Sequence, residues 1–193
     1  MQLTEQQKDA INYSGNMVIT ACPGSGKTTV VKEKVRAIVK GHKPYQGVIA
    51  ISFTTKASRE LKQRCTENGS DAKSSFFGTI DSFCLKEIIY PFIDRLWGGK
   101  AADCEILKKL PAAWEGGFPT GLKSPALEDV ESNLYEFQSL YQNNMLWMSS
   151  FSGLAVYILK NSLAACRYLK SKYTHIFIDE YQDTSLSQHE LFQ

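Results

Sequence analysis

The sequence of 193 residues has no long apolar run, no CxxC pair and no Cys/His pattern with the spacing of zinc ligands. The lack of an apolar stretch of bilayer length excludes a membrane-spanning helix. Its five cysteines are odd in number and widely spaced, which is typical of reduced thiols in a cytosolic protein. The polar start, residues 1–9, does not have the layout of a signal peptide. We therefore expect a soluble, cytoplasmic protein with no membrane partner.

Neither sign of charge dominates the sequence. The 22 Lys and Arg residues and the 20 Asp and Glu residues give a formal net charge of +2. This excludes a basic footprint over the whole chain, so any nucleic-acid site must be a local patch. A hydrophobic content of 43% allows a real core, and the length indicates one or two domains.

What is present is a glycine-rich stretch, 21–29, that reads ACPGSGKTT. We predict a short buried strand before it, over 17–20, and a helix after it, over 30–39. Glycines in such a turn let backbone N–H groups approach a phosphate, and the start of the helix adds partial positive charge. Lys27 would reach the β- and γ-phosphates of ATP, and the Thr28 hydroxyl would ligate Mg²⁺. The alternative is a simple glycine turn.

Further along the chain, an apolar run over 173–178 is followed by Asp179 and Glu180. A buried strand with this ending is typical of the second half of a phosphate-loop ATPase. Asp179 would support Mg²⁺ through water, and Glu180 would polarise the attacking water as general base. The alternative is that the two acidic residues cap the next helix.

Strand and helix patterns alternate over the first half of the chain and predict an α/β fold, with a parallel sheet flanked by helices. The run 47–53 is almost continuously apolar, which favours a strand buried on both faces. A third strand is predicted at 75–78. The stretch 97–172 interrupts this order and then shows helical periodicity, so we predict a mostly helical insertion that is too long to be a loop. The predicted division of the chain is 1–96, 97–172 and 173–193.

Five stretches resemble, in order, the motifs of superfamily-one DNA helicases of the UvrD/Rep type. They are residues 3–10, 21–28, 50–57, 78–83 and 178–185. The resemblance implies a RecA-like P-loop NTPase domain in which the insertion corresponds to the helical 1B subdomain. Nothing in the chain resembles motifs III to VI, so the second RecA-like domain is expected to be absent from it. Since that domain supplies an arginine to the γ-phosphate, we expect this fragment alone to be a nearly inactive ATP hydrolase.

The resemblance also implies ATP and Mg²⁺ as cofactors. Gln7 falls on the adenine-reading glutamine of the family, and an amide can both donate to and accept from a base. Its spacing from Thr4 fits a helix-capping residue equally well. Gln182 would lie near the γ-phosphate and act with Glu180 and Lys27. The implied nucleotide contacts are Gln7, Ala21, Pro23, Gly24, Ser25, Gly26, Lys27, Thr28 and Thr29, with Thr28 and Asp179 at the metal.

The implied contacts with single-stranded DNA are Phe53, Thr54, Thr55, Lys56 and Thr79. An aromatic face beside phosphate donors is the combination that single strands require. Judged by residue type alone, without the resemblance, Phe53 would be assigned to the core in preference to a DNA contact. Thr79 could either donate to a backbone phosphate or simply cap the next helix.

Some positions depart from the usual family pattern. The family usually has Asn at the position of Thr55 and His at that of Asp81, and many members have Arg at that of Thr29. A carboxylate at Asp81 would repel DNA phosphate, so contact there stays open. Residues 78–83, together with 87–93, look more like the helicase-like subunit of the Gabija anti-phage system. That likeness implies DNA ends as the ligand and a nuclease subunit as a partner.

Three hypotheses for function follow. The first is the ATP-binding part of a DNA-dependent ATPase that translocates on single-stranded DNA. The second is a DNA-end-sensing ATPase of a defence complex that acts with a nuclease and does not unwind processively. The third is an interaction module regulated by nucleotide. A small-molecule kinase would leave 50–57 and 179–183 without an explanation.

Overall fold

The computed structural model describes residues 3–22 and 24–193. The chain forms two compact units, each built from two segments. The first unit runs to Gly78 and resumes over Ser171–Asp179, and the second contains Thr79–Lys170 and Glu180–Gln193. None of the helices in the described ranges combines the length and the apolar content needed to cross a bilayer.

The regular elements are short. The helices are α1 (Glu5–Asn12), α2 (Lys27–Lys40), α3 (Thr55–Thr66), α4 (Ile80–Phe83), α5 (Tyr90–Trp97), α6 (Ala112–Glu115), α7 (Leu127–Ser132), α8 (Leu134–Gln142), α9 (Phe151–Asn161), α10 (Leu163–Lys172) and α11 (Leu186–Glu190). The strands are β1 (Gly47–Ile51), β2 (Phe76–Gly78), β3 (Glu105–Leu107), β4 (Met145–Trp147) and β5 (Tyr173–Ile178).

The first unit contains a parallel sheet in the order β2–β1–β5. All residues of the central strand β1 are buried, as its continuous apolar sequence predicts for a strand covered on both faces. In register, Ile49 of β1 lies beside Phe76 of β2 and Ile176 of β5. The predicted α/β fold, with a parallel sheet flanked by helices, is confirmed.

Helices α2 and α3 cover this sheet. Their buried residues form one cluster with those of β1: Val35, Val39, Val48, Ala50, Leu61 and Cys65. Each valine or leucine buried in this way stabilises the fold by roughly 1.5–3 kcal/mol. Because only 41–46 connects α2 to β1, the helix returns along the strand. Its first turn therefore lies toward the carboxyl ends of the strands, where open α/β sheets bind ligands.

The strand predicted at Met17–Thr20 is wrong. These residues form no regular element, and Val18 exposes 88% of its surface. A strand is stable only when its backbone groups pair with a neighbour, and none of the strands in the described ranges pairs with this segment. An apolar sequence alone is not enough where no partner strand lies alongside.

The second unit begins with a continuous helical segment whose hydrogen-bonding pattern changes along its length. Helix α4 passes into a π-helix over Cys84–Ile89 and then into α5, where Pro91 lies in the first turn. Proline has no N–H to donate to a preceding carbonyl, which accounts for the altered bonding just before it. Helices predominate in 97–172, and the parallel pair β3–β4 was not predicted there.

Candidate nucleotide site and nucleic-acid interface

The glycine-rich loop enters α2 through residues with left-handed backbone. Gly24 has φ +80° and Gly26, the N-cap of α2, has φ +88°, conformations that favour glycine. The Lys27 ammonium donates to the Ala21 carbonyl at 2.8 Å, so the side chain folds back over the loop. Thr28 and Thr29 lie half-buried in the first turn of the helix. Pro23, a predicted contact, lies outside the described residues.

Gln7 joins α1 to this loop. Its side chain accepts from the Thr4 N–H at 3.0 Å, and its own N–H donates to the Thr4 hydroxyl at 3.3 Å, completing a capping box. The Gln7 amide also donates to the Ser25 carbonyl at 3.0 Å. A Cβ on Gly26 would lie 2.7 Å from that amide nitrogen, so Gln7 packs directly on the loop. The residue thus both caps α1 and touches the phosphate loop.

Lys34 of α2 is a site residue that sequence reasoning missed. It exposes only 8% of its surface and donates to carbonyls of Ala10, Ile11 and Tyr13 at the end of α1. The available signal was its position on the buried face of α2, together with Val30 and Val35. A lysine on an apolar helical stripe needs acceptors, because burying an unpaired ammonium is costly.

The two predicted acidic residues follow β5 directly. The Asp179 N–H donates to the Ile51 carbonyl at 2.9 Å, which fixes the residue at the carboxyl edge of the sheet. Glu180 has φ +56°, in the left-handed region that non-glycine residues rarely adopt. Its carboxylate accepts a hydrogen bond from the Gln182 amide. The carboxylate and amide proposed to act together are therefore in contact.

The oxygen donors of the first unit suit a hard cation. Thr28 offers a hydroxyl and Asp179 a carboxylate, and both belong to that unit. No group of three or more His, Cys, Asp and Glu side chains suited to a metal is found within 3–22 and 24–193. Mg²⁺ usually takes one or two protein ligands and completes its shell with water and substrate phosphates. These two oxygen donors therefore fit Mg²⁺.

The predicted DNA contacts of the first unit lie where β1 leads into α3. Phe53 exposes 65% of its surface, so the core alternative for this residue is wrong. Thr54 is the N-cap of α3, with its hydroxyl accepting from the Ala57 N–H at 3.1 Å. Thr55 and Lys56 are exposed in the first turn. An open groove of about 830 Å³ runs along this helix and is lined by Thr55, Lys56, Arg59, Glu60 and Gln63.

Thr79 and Asp81 stand at the start of α4 in the second unit. Thr79 accepts from the Ser82 N–H at 3.3 Å and donates its own N–H to the Ser82 hydroxyl at 2.9 Å, so it caps the helix as the alternative reading predicted. Asp81 is partly buried, and burial raises the pKa of its carboxyl group.

Comparison with known proteins shows the family of the chain. The sequence matches the family described as the UvrD/REP helicase N-terminal domain over residues 3–98 and 100–193. The chain belongs to this family. The resemblance predicted from its motifs is thereby confirmed, and the parallel α/β unit is the fold expected of a UvrD/REP N-terminal domain.

Individual relatives extend the comparison. The chain is 35% identical over 192 residues to the Gabija protein GajB of Bacillus cereus (strain VD045), covering 96% of this chain and 35% of that protein. It is 28% identical over 229 residues to the ATP-dependent DNA helicase Rep of Buchnera aphidicola, covering 100% and 35%. It is 27% identical over 224 residues to PcrA, an ATP-dependent DNA helicase of Staphylococcus aureus, covering 97% and 30%. The chain thus spans about a third of each relative.

Proposed function

We propose that these residues form the ATP-binding N-terminal part of a DNA-dependent ATPase that translocates on single-stranded DNA. The observation that carries the proposal is that one unit of a UvrD/REP domain contains two features. They are a glycine loop with left-handed backbone and Asp179 at the carboxyl edge of the sheet. Phosphate-loop ATPases need both parts, because one holds the phosphates and the other supports the metal.

In this proposal ATP and Mg²⁺ are the cofactors. The backbone N–H groups of 24–28 and the Lys27 ammonium would hold the phosphates, while the Thr28 hydroxyl and the Asp179 carboxylate would hold Mg²⁺. When bound, the metal supplies charge neutralisation on the phosphates. Release of Lys27 from the Ala21 carbonyl is the side-chain movement that phosphate binding requires.

Glu180 is proposed as the general base, with Gln182 at its side. A left-handed backbone conformation costs free energy in a residue other than glycine, and such residues cluster at functional sites. The left-handed conformation of Glu180 therefore supports a functional role for this residue. The hydrogen bond from the Gln182 amide orients the Glu180 carboxylate, as a base requires before it accepts a proton from water.

DNA would pass along the start of α3. The exposed ring of Phe53 offers a stacking surface, and the N-terminus of α3 with Lys56 offers positive charge for phosphate. The groove beside them carries Arg59 as a further cation and Gln63 as a polar contact. These groups form the local patch that a nearly neutral chain needs in order to bind nucleic acid.

The first experiment measures ATP hydrolysis by the full-length polypeptide with and without single-stranded DNA, in parallel with Glu180→Gln. We expect DNA to stimulate hydrolysis and Glu180→Gln to lower the stimulated rate by about 10²–10⁴. The matched control is Glu128→Gln, the same change at an exposed residue of α7. Hydrolysis that is indifferent to DNA would contradict the proposal and favour a protein trigger.

A second candidate is supported by the similarity to a Gabija protein. In it, the domain belongs to a DNA-end-sensing ATPase that acts with a nuclease subunit and does not unwind processively. Unwinding of a forked duplex separates the two candidates, because the second predicts ATP hydrolysis without strand separation. Strand separation that depends on Lys27 would exclude it.

A further inference from the structure

Helix α1 depends on polar attachments for its position. It has eight residues, none of them fully buried, and a helix of this length is not stable on its own in water. Its apolar residues Ala10 and Ile11 are only partly buried. Two attachments to the loop and α2 remain: Gln7 at one end, on the Ser25 carbonyl, and Lys34 at the other.

At the C-terminal end of α1, the Lys34 ammonium matches its carbonyl acceptors in number and in charge. The Lys34 ammonium lies 3.1 Å from the carbonyl oxygens of both Ala10 and Ile11 and donates to that of Tyr13 as well. An ammonium has three N–H donors, which these acceptors use completely. Carbonyls at a helix C-terminus lack partners within the helix and carry partial negative charge, so a buried cation is favoured there.

Lys34 also shares a helix with the phosphate loop. Lys27 begins α2, and Lys34 lies two turns further along the same helix. The element that would bind the phosphates therefore also fixes the end of α1, and α1 carries Gln7. The distance between the phosphate contacts and Gln7 is thus set by one rigid helix and its attachment to another.

We propose that Lys34 is a positioning residue for recognition of the nucleotide base, because it anchors α1 and so holds Gln7 beside the phosphate loop. This rests on the proposed function, in which Gln7 pairs with adenine. Lys34 itself touches neither base nor phosphate. Its removal loosens the helix that reads the base and leaves the loop that binds the phosphates intact.

The test compares the dissociation constants of ATP, GTP and inorganic tripolyphosphate, measured on the whole protein in a Glu180→Gln background that suppresses hydrolysis. Lys34→Met removes the donors and keeps the apolar stem. We expect it to lower the preference for ATP over GTP by roughly five- to tenfold, within the range of one lost amide–base pairing. Binding of tripolyphosphate should stay within about twofold.

The control variants separate the possible causes. Gln7→Ala removes the base contact itself and should abolish the preference. Lys40→Met makes the same change at an exposed lysine in the last turn of α2 and should have no effect. Lys34→Gln keeps two N–H donors without the charge and serves as the second variant if Lys34→Met does not fold. Its preference for ATP should lie between those of wild type and Lys34→Met. Hydrogen exchange of the α1 amides should accelerate in both Lys34 variants.

The outcomes are distinct. An unmodified protein that does not prefer ATP, or a Gln7→Ala variant that keeps the preference, contradicts adenine reading by Gln7 and with it this part of the proposed function. Loss of preference in Gln7→Ala but not in the Lys34 variants overturns the role of Lys34 alone. An equal loss for ATP, GTP and tripolyphosphate in the Lys34 variants overturns it too, since Lys34 would then serve stability only.

Discussion

At the scale of single residues, Phe53 stands out because it exposes 65% of its surface directly after a fully buried strand. We expect Phe53→Ala to weaken binding of single-stranded DNA by about tenfold, because stacking of one base on an aromatic ring contributes about 1–3 kcal/mol. Thermal stability should change little, since the ring is mostly in water. Fluorescence anisotropy of a labelled oligonucleotide measures the first effect and thermal unfolding the second.

Tyr45 provides the matched control for this prediction. It is another exposed aromatic residue, at 54%, and it precedes β1 where Phe53 follows it. The two rings therefore lie toward opposite ends of one strand. Tyr45→Ala should leave DNA affinity unchanged, and an equal loss in both variants would show that the Phe53 effect is unspecific.

The two left-handed glycines of the loop differ in what surrounds them. A Cβ on Gly24 would meet nothing within 4 Å, whereas one on Gly26 would lie 2.7 Å from the Gln7 amide nitrogen. Gly24→Ala should therefore cost only the backbone strain, about 1–2 kcal/mol. Gly26→Ala should cost about 1 kcal/mol more, because the Gln7 hydrogen bond to Ser25 is lost as well. Denaturant unfolding of each variant beside the unmodified protein measures both costs.

A Gln7→Ala background isolates the contact. Gly24→Ala and Gly26→Ala are compared alone and in that background, where the extra cost at Gly26 should disappear. If the difference between the two glycines persists without Gln7, the packing of Gln7 on the loop is not its cause.

Sequence reasoning at this scale located the loop and the acidic pair, but not the hydrogen bonds that attach α1 to the loop and to α2. Gln7 was predicted either to read adenine or to cap α1, and the structure adds a bond to Ser25 that spacing alone does not reveal. Lys34 was missed because its partners are backbone carbonyls, which carry no side-chain signature. Contacts with backbone depend on tertiary packing and are the hardest to predict from residue type.

At the scale of elements, β5 is an open edge of the sheet. Among the described strands it pairs only with β1, and its residues Thr174, His175 and Ile176 are exposed. Unpaired edges with apolar residues promote association between chains. We expect Ile176→Lys to reduce the aggregation of the 193-residue chain, as measured by light scattering during refolding.

The control for the edge is a lysine at an exposed hydrophobic residue away from any strand. Tyr135 in α8 exposes 78% of its surface, more than the 48% of Ile176. Tyr135→Lys adds the same charge and should aggregate as the unmodified chain does. An equal improvement in both variants would mean that net charge, and not the strand edge, limits solubility.

Helices and strands were predicted correctly where the segments they pack or pair with belong to the same chain. The apolar runs of β1 and β5 form strands because they pair with each other, and Thr4 caps a helix as its spacing from Gln7 predicts. The run at Met17–Thr20 has similar composition but no paired neighbour in the described sheet. Three-residue strands such as β3 are too short to give a period, which is why they were not predicted.

At the scale of the whole molecule, two histidines make stability depend on pH. The Thr174 hydroxyl lies 2.9 Å from His42 Nε2 and 2.9 Å from His175 Nδ1. Partial shielding of each imidazole from water lowers the pKa of both histidines. The neighbouring His175 also lowers the pKa of His42, and the charge of Lys34 also lowers the pKa of His175. As the pH falls, these two histidines therefore take up protons at a higher pH in the unfolded chain than in the folded one. The stability contributed by the neutral histidines is complete above about pH 6.5 and is lost as the pH falls through the lower folded values.

We expect the thermal midpoint of unfolding to decrease when the pH is lowered from about 7.5 to about 5.5. The decrease should be smaller in His175→Asn. The partly buried Asp81 works in the opposite direction, since its raised pKa favours the folded state as the pH falls. The comparison between variants therefore isolates the histidines better than the wild-type curve does. His189→Asn, outside the Thr174 contacts, should retain the full acid sensitivity, and an identical curve for His175→Asn would contradict the prediction.

The division of the first unit into two segments sets an order of events during translation. The loop, α2 and β1 emerge from the ribosome early, but β5 and Asp179 follow only after the whole of Thr79–Lys170 has been synthesised. At about 5–20 residues per second, that delay lasts on the order of ten seconds. Throughout this interval β1 lacks its neighbour β5, and the loop proposed to hold phosphate exists without Asp179, the proposed metal ligand. Synthesis of Thr79–Lys170 therefore separates the two halves of the proposed nucleotide site in time, and chaperones that shield open strands can act during this delay.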